Sequence, residues 1–303
     1  MHRGLIHGVA TELPMAEHRA CARHIYGNLK RDHKSDMLKP LFWRIASSYN
    51  KADYKENLSI FKEFDPQACK TLLRKDPSSW CRAFFRVGCC CADTHNNHTE
   101  SYNRTLKIAR RKPFVQMLEL VRRDAMQRVA NRSIIAEKEA AKFTKKARKE
   151  LEKSCEEAQY CAMISSTGGE YEIVEFGIGY SVSLNKRECA CRKWDLTGIP
   201  CRHAVCAIRE LNLEVEDYIS DYYLSEKWKG IYRRGLRPSP ESRAKRRKLM
   251  ATPQLEAQDQ EEMGAALAAM EHEVQPEMGG ALVAMEHQDQ DDAEVQDVSS
   301  TAP

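Results

Sequence analysis

Two short motifs near the middle of the chain, Cys189-Ala190-Cys191 and Cys201-Arg202-His203, constrain this polypeptide more than anything else in it. They form a C-x-C, a nine-residue gap and a C-x-H. Three thiols and one imidazole are the donor set of a closed structural zinc site, in which tetrahedral coordination leaves no position open for chemistry. Residues two apart on an extended segment point to one face, so Cys189 and Cys191 can grip one ion together. Upstream, Phe176, Ile178, Tyr180, Val182 and Leu184 alternate with small or polar residues, the period of a strand. Asp195-Leu196-Thr197-Gly198-Ile199-Pro200 reads as a turn. From Ala204 to Leu211 apolar residues return at helical spacing, predicting a helix whose start carries Cys201 and His203. Cys206 on that helix is a buried thiol outside the ligand set. Inert buried cysteines or a disulfide framework are the competing accounts, but metal ligation explains all four residues and the turn at once. The sequence thus predicts one structural Zn2+ on Cys189, Cys191, Cys201 and His203. A module of about 40 residues could hardly fold without it, and zinc supplies about 10–16 kcal/mol in small finger peptides.

Composition narrows the function classes. The chain has 303 residues, enough for about two domains. Charged residues are 30% and mean hydropathy is −0.63, which predicts a soluble protein. No run approaches the roughly 18 apolar residues of a membrane span, so no membrane partner is expected. Met1–His7 lacks the apolar stretch of a secretory leader. Twelve cysteines without an export signal point to a reducing compartment, where thiols and zinc outweigh disulfides. No glycine loop for nucleotides and no Ser-His-Asp order stands out, so no small-molecule substrate is expected. The net charge of +4 hides an asymmetry: residues 250–303 hold thirteen Asp and Glu and no Lys or Arg, which leaves about +17 on residues 1–249. A basic body with an acidic tail suits polyanion contact tempered by the tail.

The predicted fold class is α+β and mostly helical. Leu38, Leu41, Phe42 and Ile45 share one helical face, and Trp80, Phe84, Phe85 and Val87 mark a second buried segment. Asp65-Pro66 and Asp76-Pro77 read as helix starts or boundaries. Asn96–Thr99 reads as a loop and helix cap, followed by a short helix over 100–110. Pro113 opens a longer one with an apolar stripe of Phe114, Met117, Leu118, Val121, Ala125 and Val129. Residues 131–158 read as a solvated helical extension, and Thr167-Gly168-Gly169 ends that linker. Four regions follow: 1–130, a charged helical linker 131–168, a β-hairpin-plus-helix zinc module 169–235 with Asp221-Tyr222-Tyr223 and Trp228 packed on it, and a disordered tail 236–303. In the tail, EMGAALAAMEHE at 262–273 recurs as EMGGALVAMEHQ at 277–288, which by composition reads first as low-complexity drift and alternatively as a transient partner-binding helix.

Written out, CACRKWDLTGIPCRH closely resembles a SWIM-type zinc finger. HRACARHIYGNLK (18–30), WCRAFF (80–85) and NNHTESYNRTLKIARRKPFVQMLELVR (96–122) resemble Mutator-like transposases of plants, and the likeness covers about residues 1–235. It implies a ribonuclease H-like catalytic region in which two Asp and one Glu hold two divalent metals for phosphoryl chemistry. Residues 10 to about 95 would be its helical insertion, and Glu100 stands where the third acid is expected. The positions of both Asp residues precede Met1, so the expectation is a C-terminal transposase portion without a complete triad, Glu100 being a remnant. A single carboxylate cannot offset the repulsion of two cations. The alternative is a fragment of an active transposase whose first two acids lie upstream. Cys21-x-x-His24 also matches a pair the family shares, with Cys89, Cys90, Cys91, His95 and His98 as conceivable partners in a second metal site.

Basic residues crowd two successive helices: Arg104, Lys107, Arg110, Arg111, Lys112, Arg122, Arg123, Arg128 and Arg132, extended by Lys142, Lys145, Lys146, Arg148 and Lys149. Lys186, Arg187, Arg192, Lys193 and Arg202 surround the zinc ligands. Such stripes neutralise phosphates, so DNA is the expected partner, with protein contacts through the finger or the acidic tail as the rival. Arg243–Lys248 reads as a nuclear address.

Overall fold

The computed structural model describes residues 3–164, 168–233 and 235–236. Most described residues are helical, and the only sheet among them lies beside the zinc-ligand segment. No described helix is long and apolar enough to cross a membrane. The contacts divide the chain into two units: Met1–Asn96 with Ala141–Lys227, and Asn97–Ala140 with Trp228–Pro303.

The first unit begins as a helical body: α1 (Arg3–Glu12), α2 (Ala22–Asp32), α3 (Leu38–Ser47), α4 (Lys51–Phe64) and α5 (Pro66–Leu73). Leu38, Phe42 and Ile45 are buried as the spacing predicts, with Leu41 at the edge of the same core. Phe42 stacks on Trp80 at 5.4 Å between ring centroids and meets the edge of Trp43 at 5.3 Å. Asp65 caps α5 by accepting from the amides of Gln67 and Ala68 at 3.0 and 2.8 Å, with Pro66 in the first turn. Asp76 does the same for a single 3-10 turn at Pro77–Ser79. The segment after it is not a continuous helix. A second 3-10 turn (Arg82–Phe84) ends at Phe85, helical spacing stops there, and Val87 is 54% exposed rather than buried.

The same unit continues with α6 (Lys145–Glu157), β1 (Cys161–Ile164), β2 (Glu170–Glu175), β3 (Ile178–Ser183), β4 (Glu188–Cys189), α7 (Lys193–Thr197) and α8 (Arg202–Glu210). The expected hairpin is a four-stranded antiparallel sheet in the order β1-β2-β3-β4. Its first strand lies in the stretch read as linker, and Gly168 and Gly169, read as a break, turn between β1 and β2 with φ of 85° and 79°. Glu175 pairs with Ile178, so Phe176-Gly177 is a two-residue turn at φ 47° and 83°. Phe176 is therefore a turn residue, 82% exposed, and the strand alternation begins only at Ile178. The sheet lays Ile173 and Val182 on α8, whose Val205 and Ile208 are fully buried, and Trp194 of α7 closes the core.

The second unit holds a helix at Asn97–Ala109 and another at Phe114–Glu137, here called the basic helix and the long helix. Pro113 precedes the long helix as its cap residue rather than as its first member. The apolar stripe is not a buried one: Phe114 is 68% and Leu118 50% exposed, and the fully buried positions are Asp124 and Ala136. The solvated extension is also interrupted. The long helix stops at Glu137, and Phe143, 3% exposed, bridges to Leu224 before α6 begins. These helices carry no strand of the ribonuclease H-like region that the resemblance implies. The basic run 243–248, the acidic tail with its repeat, and Thr167 lie outside the described residues.

Candidate metal centre

The ligand set is assembled by one strand end and one helix start. Val182 of β3 pairs with Cys189, and the Ala190 amide donates to the Ser181 carbonyl at 2.9 Å. The strand ends there, and Cys191 lies not on the expected extended segment but in a turn closed by the Arg192 amide on the Cys189 carbonyl at 2.7 Å. Arg192 then adopts φ 63°, reversing the chain into α7. The stretch read as a turn is thus a short helix closed by Gly198 at φ 72°. Asp195 in that helix accepts the Cys189 amide at 3.0 Å, fixing the spacer against the first ligand. Cys201 is the residue that caps α8, and His203 lies in its first turn.

The four donor atoms lie within 4.8 Å of one another. Cys189, Cys201 and His203 are buried at 3%, 1% and 1% exposure, and Cys191 is half-buried. His203 Nδ1 stands 3.5 Å from Cys189 Sγ, so this nitrogen faces the thiols. Burial opposes ionisation of Cys201, but hydrogen bonds from Cys189, Cys191 and His203 outweigh it and hold its thiol well below the ordinary value. Contacts with Cys191 and Cys201, and then burial, push Cys189 the other way. A bound divalent ion favours ionisation of all three thiols. Soft sulfur donors, one imidazole and a water-poor setting fit one structural zinc ion.

The outer layer of the site is not visible in the sequence. His203 Nε2 lies 3.0 Å from Glu175 Oε2, and Glu175 is 5% exposed although 28 residues away in the chain. The carboxylate takes the second imidazole N–H, which sets the tautomer that presents Nδ1 to the metal. Its other oxygen meets Arg202 Nε at 2.8 Å. Tyr180 stacks on the imidazole at 4.0 Å with the rings 15° apart. Cys161, Glu175 and His203 form a second cluster of possible ligands. Arg202 already supplies the cation there, and burial followed by the Glu175 charge pushes the Cys161 thiol up to about 12.

Residues 177–212 match the family model of the SWIM zinc finger. This segment is a SWIM zinc finger. No curated protein and no solved structure matches the chain.

The finger uses most of its basic residues internally. Arg192 sends its guanidinium to the carbonyls of Tyr49, Arg82, Ala83 and Phe85, away from solvent. Arg187 donates to the Asp217 carbonyl at 3.0 Å and lies over the Tyr218 ring. Lys193 stands 4.0 Å from Glu150, and Lys186 makes an exposed pair with Glu170 at 3.4 Å. In the second unit, Arg122 and Arg123 both hold Glu119, at 2.6 and 2.9 Å, and Arg122 first of all draws that carboxyl down to about 2. Arg128 pairs with buried Asp124 at 3.0 Å and lies over Tyr102. Arg104, Lys107, Arg110 and Arg111 are exposed, and Lys112 is half-buried. Glu100 belongs to the first turn of the basic helix. Among the described residues, Cys21 and His24 join no ligand cluster. The thiol triplet serves other contacts: Cys89 Sγ meets Arg19 at 3.3 Å and Cys90 Sγ meets Ser220 at 3.5 Å.

Proposed function

We propose that this chain is a zinc-stabilised binding protein derived from a Mutator-like transposase, that it contacts DNA through the cationic end of a helix without cutting it, and that it acts in the nucleus. The carrying observation is where the exposed cations gather. Arg192, Arg187 and Lys193 of the finger are engaged with protein groups beside the ligands, and Arg104, Lys107, Arg110 and Arg111 lie on exposed positions along the end of the basic helix and the turn that follows it, Arg110 also meeting Asn103 at 3.1 Å. Four exposed cations this close in the chain neutralise adjacent phosphates and release counterions. The ion contributes fold rather than chemistry, because four protein ligands leave no place for a reactive water. A single carboxylate such as Glu100 does not by itself hold two metal ions. The ribonuclease H-like ancestry rests on the sequence resemblance over 1–235, and the nuclear location on Arg243–Lys248.

Fluorescence anisotropy with duplex DNA between about 50 and 200 mM salt tests the reading. Affinity should fall steeply with salt. Alanine at Arg104, Lys107, Arg110 and Arg111 together should reduce the log–log slope by roughly 3–4 while zinc stays bound. A slope unchanged by the four substitutions removes the cationic helix end. DNA cutting with magnesium or manganese that disappears in Glu100→Gln removes the non-catalytic reading.

A further inference from the structure

The spacer between the two ligand pairs does more than join them. It contains α7, and both ends of α7 meet the helical body within the same unit. At its start, Arg192 directly follows the ligand Cys191 and holds the left-handed φ of 63°, which is uncommon for a residue with a side chain. From there one guanidinium nitrogen lies 3.0 Å from the Tyr49 carbonyl, 2.6 Å from that of Ala83 and 3.4 Å from that of Arg82. The other donates to the Phe85 carbonyl at 2.6 Å. Three of these oxygens belong to the 3-10 turn at 82–84 and the residue after it, and the Arg82 carbonyl also accepts the Phe85 amide at 3.1 Å. At the far end of α7, Gly198 presses on Cys90: a Cβ there would stand 2.7 Å from the Cys90 sulfur. The Tyr223 hydroxyl seals this seam, within 3.0 Å of the Cys90 carbonyl and 2.9 Å of the Thr197 carbonyl.

We propose that the ligand spacer is a metal-set clasp on the helical body: zinc fixes Cys191, Cys191 fixes Arg192, and Arg192 with the Gly198–Cys90 seam orders residues 82–92. A left-handed arginine persists when both of its sides are held, here by ligation and by four carbonyls. Loss of the ion frees Cys191, the guanidinium leaves, and the carbonyls turn to water. The core around Phe42 and Phe61 has its own packing and stays. Coupling is reciprocal, so breaking the clasp from the body side weakens zinc binding by the same factor. The inference rests on zinc at the four ligands and is independent of DNA contact.

Hydrogen exchange of the full chain, zinc-loaded and chelator-stripped, is the test. The amides of Phe84, Phe85 and Arg86 report on it, because each has an acceptor, at 3.1, 3.1 and 2.9 Å. Stripping should speed exchange at 84–86 by roughly tenfold or more while 61–72 in α4 and α5 keeps its protection. Zinc-loaded Arg192→Ala should show the same change at 84–86 and bind zinc roughly tenfold more weakly in chelator competition. Tyr223→Phe, which touches no ligand, should show a smaller change at the same amides. A stripped chain that keeps 84–86 protected overturns the clasp. So does one in which 61–72 opens as fast as 84–86, or an Arg192→Ala chain with unaltered exchange and zinc affinity.

Discussion

The helical body and the SWIM finger belong to one unit yet secure their structure differently. The body buries Phe42, Phe61, Trp80 and Phe85 completely and caps two of its helices, α4 and α5, with the side chains of Asn50 and Asp65, while α2 and α3 have no side-chain cap. The finger buries large apolar groups too, Trp194 and Ile173 among them, but places His203 and Glu175 at its centre. Its helix α8 has no side-chain cap hydrogen bond, because the cap position is given to the ligand Cys201. The body's stability is therefore spread over apolar area and many small terms. The finger concentrates its own in one coordination site, where losing a single donor leaves buried polar groups uncompensated.

Removing a ligand should produce the largest effect. Cys201→Ala is expected to take bound zinc from one ion to none in native mass spectrometry and to open 161–211 to exchange, a loss on the scale of about 10 kcal/mol of metal binding. A variant that still holds one ion would break the contrast between the two regions. Phe42→Ala should cost about 3–5 kcal/mol in denaturant unfolding of the body, with zinc content unchanged. Joint loss of zinc would mean that the two regions share one core. Glu175→Gln sharpens the picture of the finger. It removes the charge that faces His203 and Arg202, and zinc affinity should drop about 10–100-fold while the body's unfolding midpoint stays put. The smallest effect lies in the second unit. Glu119 is held below its ordinary 4.5, at about 2, by Arg122 and Arg123. A depressed carboxyl stabilises fully above 4.5 and loses that contribution as pH falls toward 2. Glu119→Gln should therefore cost under about 1 kcal/mol at neutral pH and nothing near pH 2, read from paired thermal melts.

Features set by neighbours in the chain were legible early. The two Cys/His pairs, the helix after His203, the α3 face and the Asp65-Pro66 start each depend on residues a few positions apart, and the structure shows each of them. Features set by distant partners were not. Nothing around Glu175 marks it as the support of an imidazole 28 residues on. Arg192 looks in sequence like a phosphate contact beside Lys193, and only its meeting with Tyr49, 143 residues away, turns it inward. Phe176 fits the strand alternation until the β2–β3 register makes it a turn residue. Helical spacing proposes an apolar stripe on the long helix, but spacing cannot say whether another element covers it, and Phe114 and Leu118 are exposed.

Sequence alone determined which atoms can hold the metal, because donor chemistry and short spacing are local properties of the chain. Tertiary structure decided what steadies those atoms and where each cation is spent. Hydrogen bonds and burial depend on groups that only folding brings within about 3 Å.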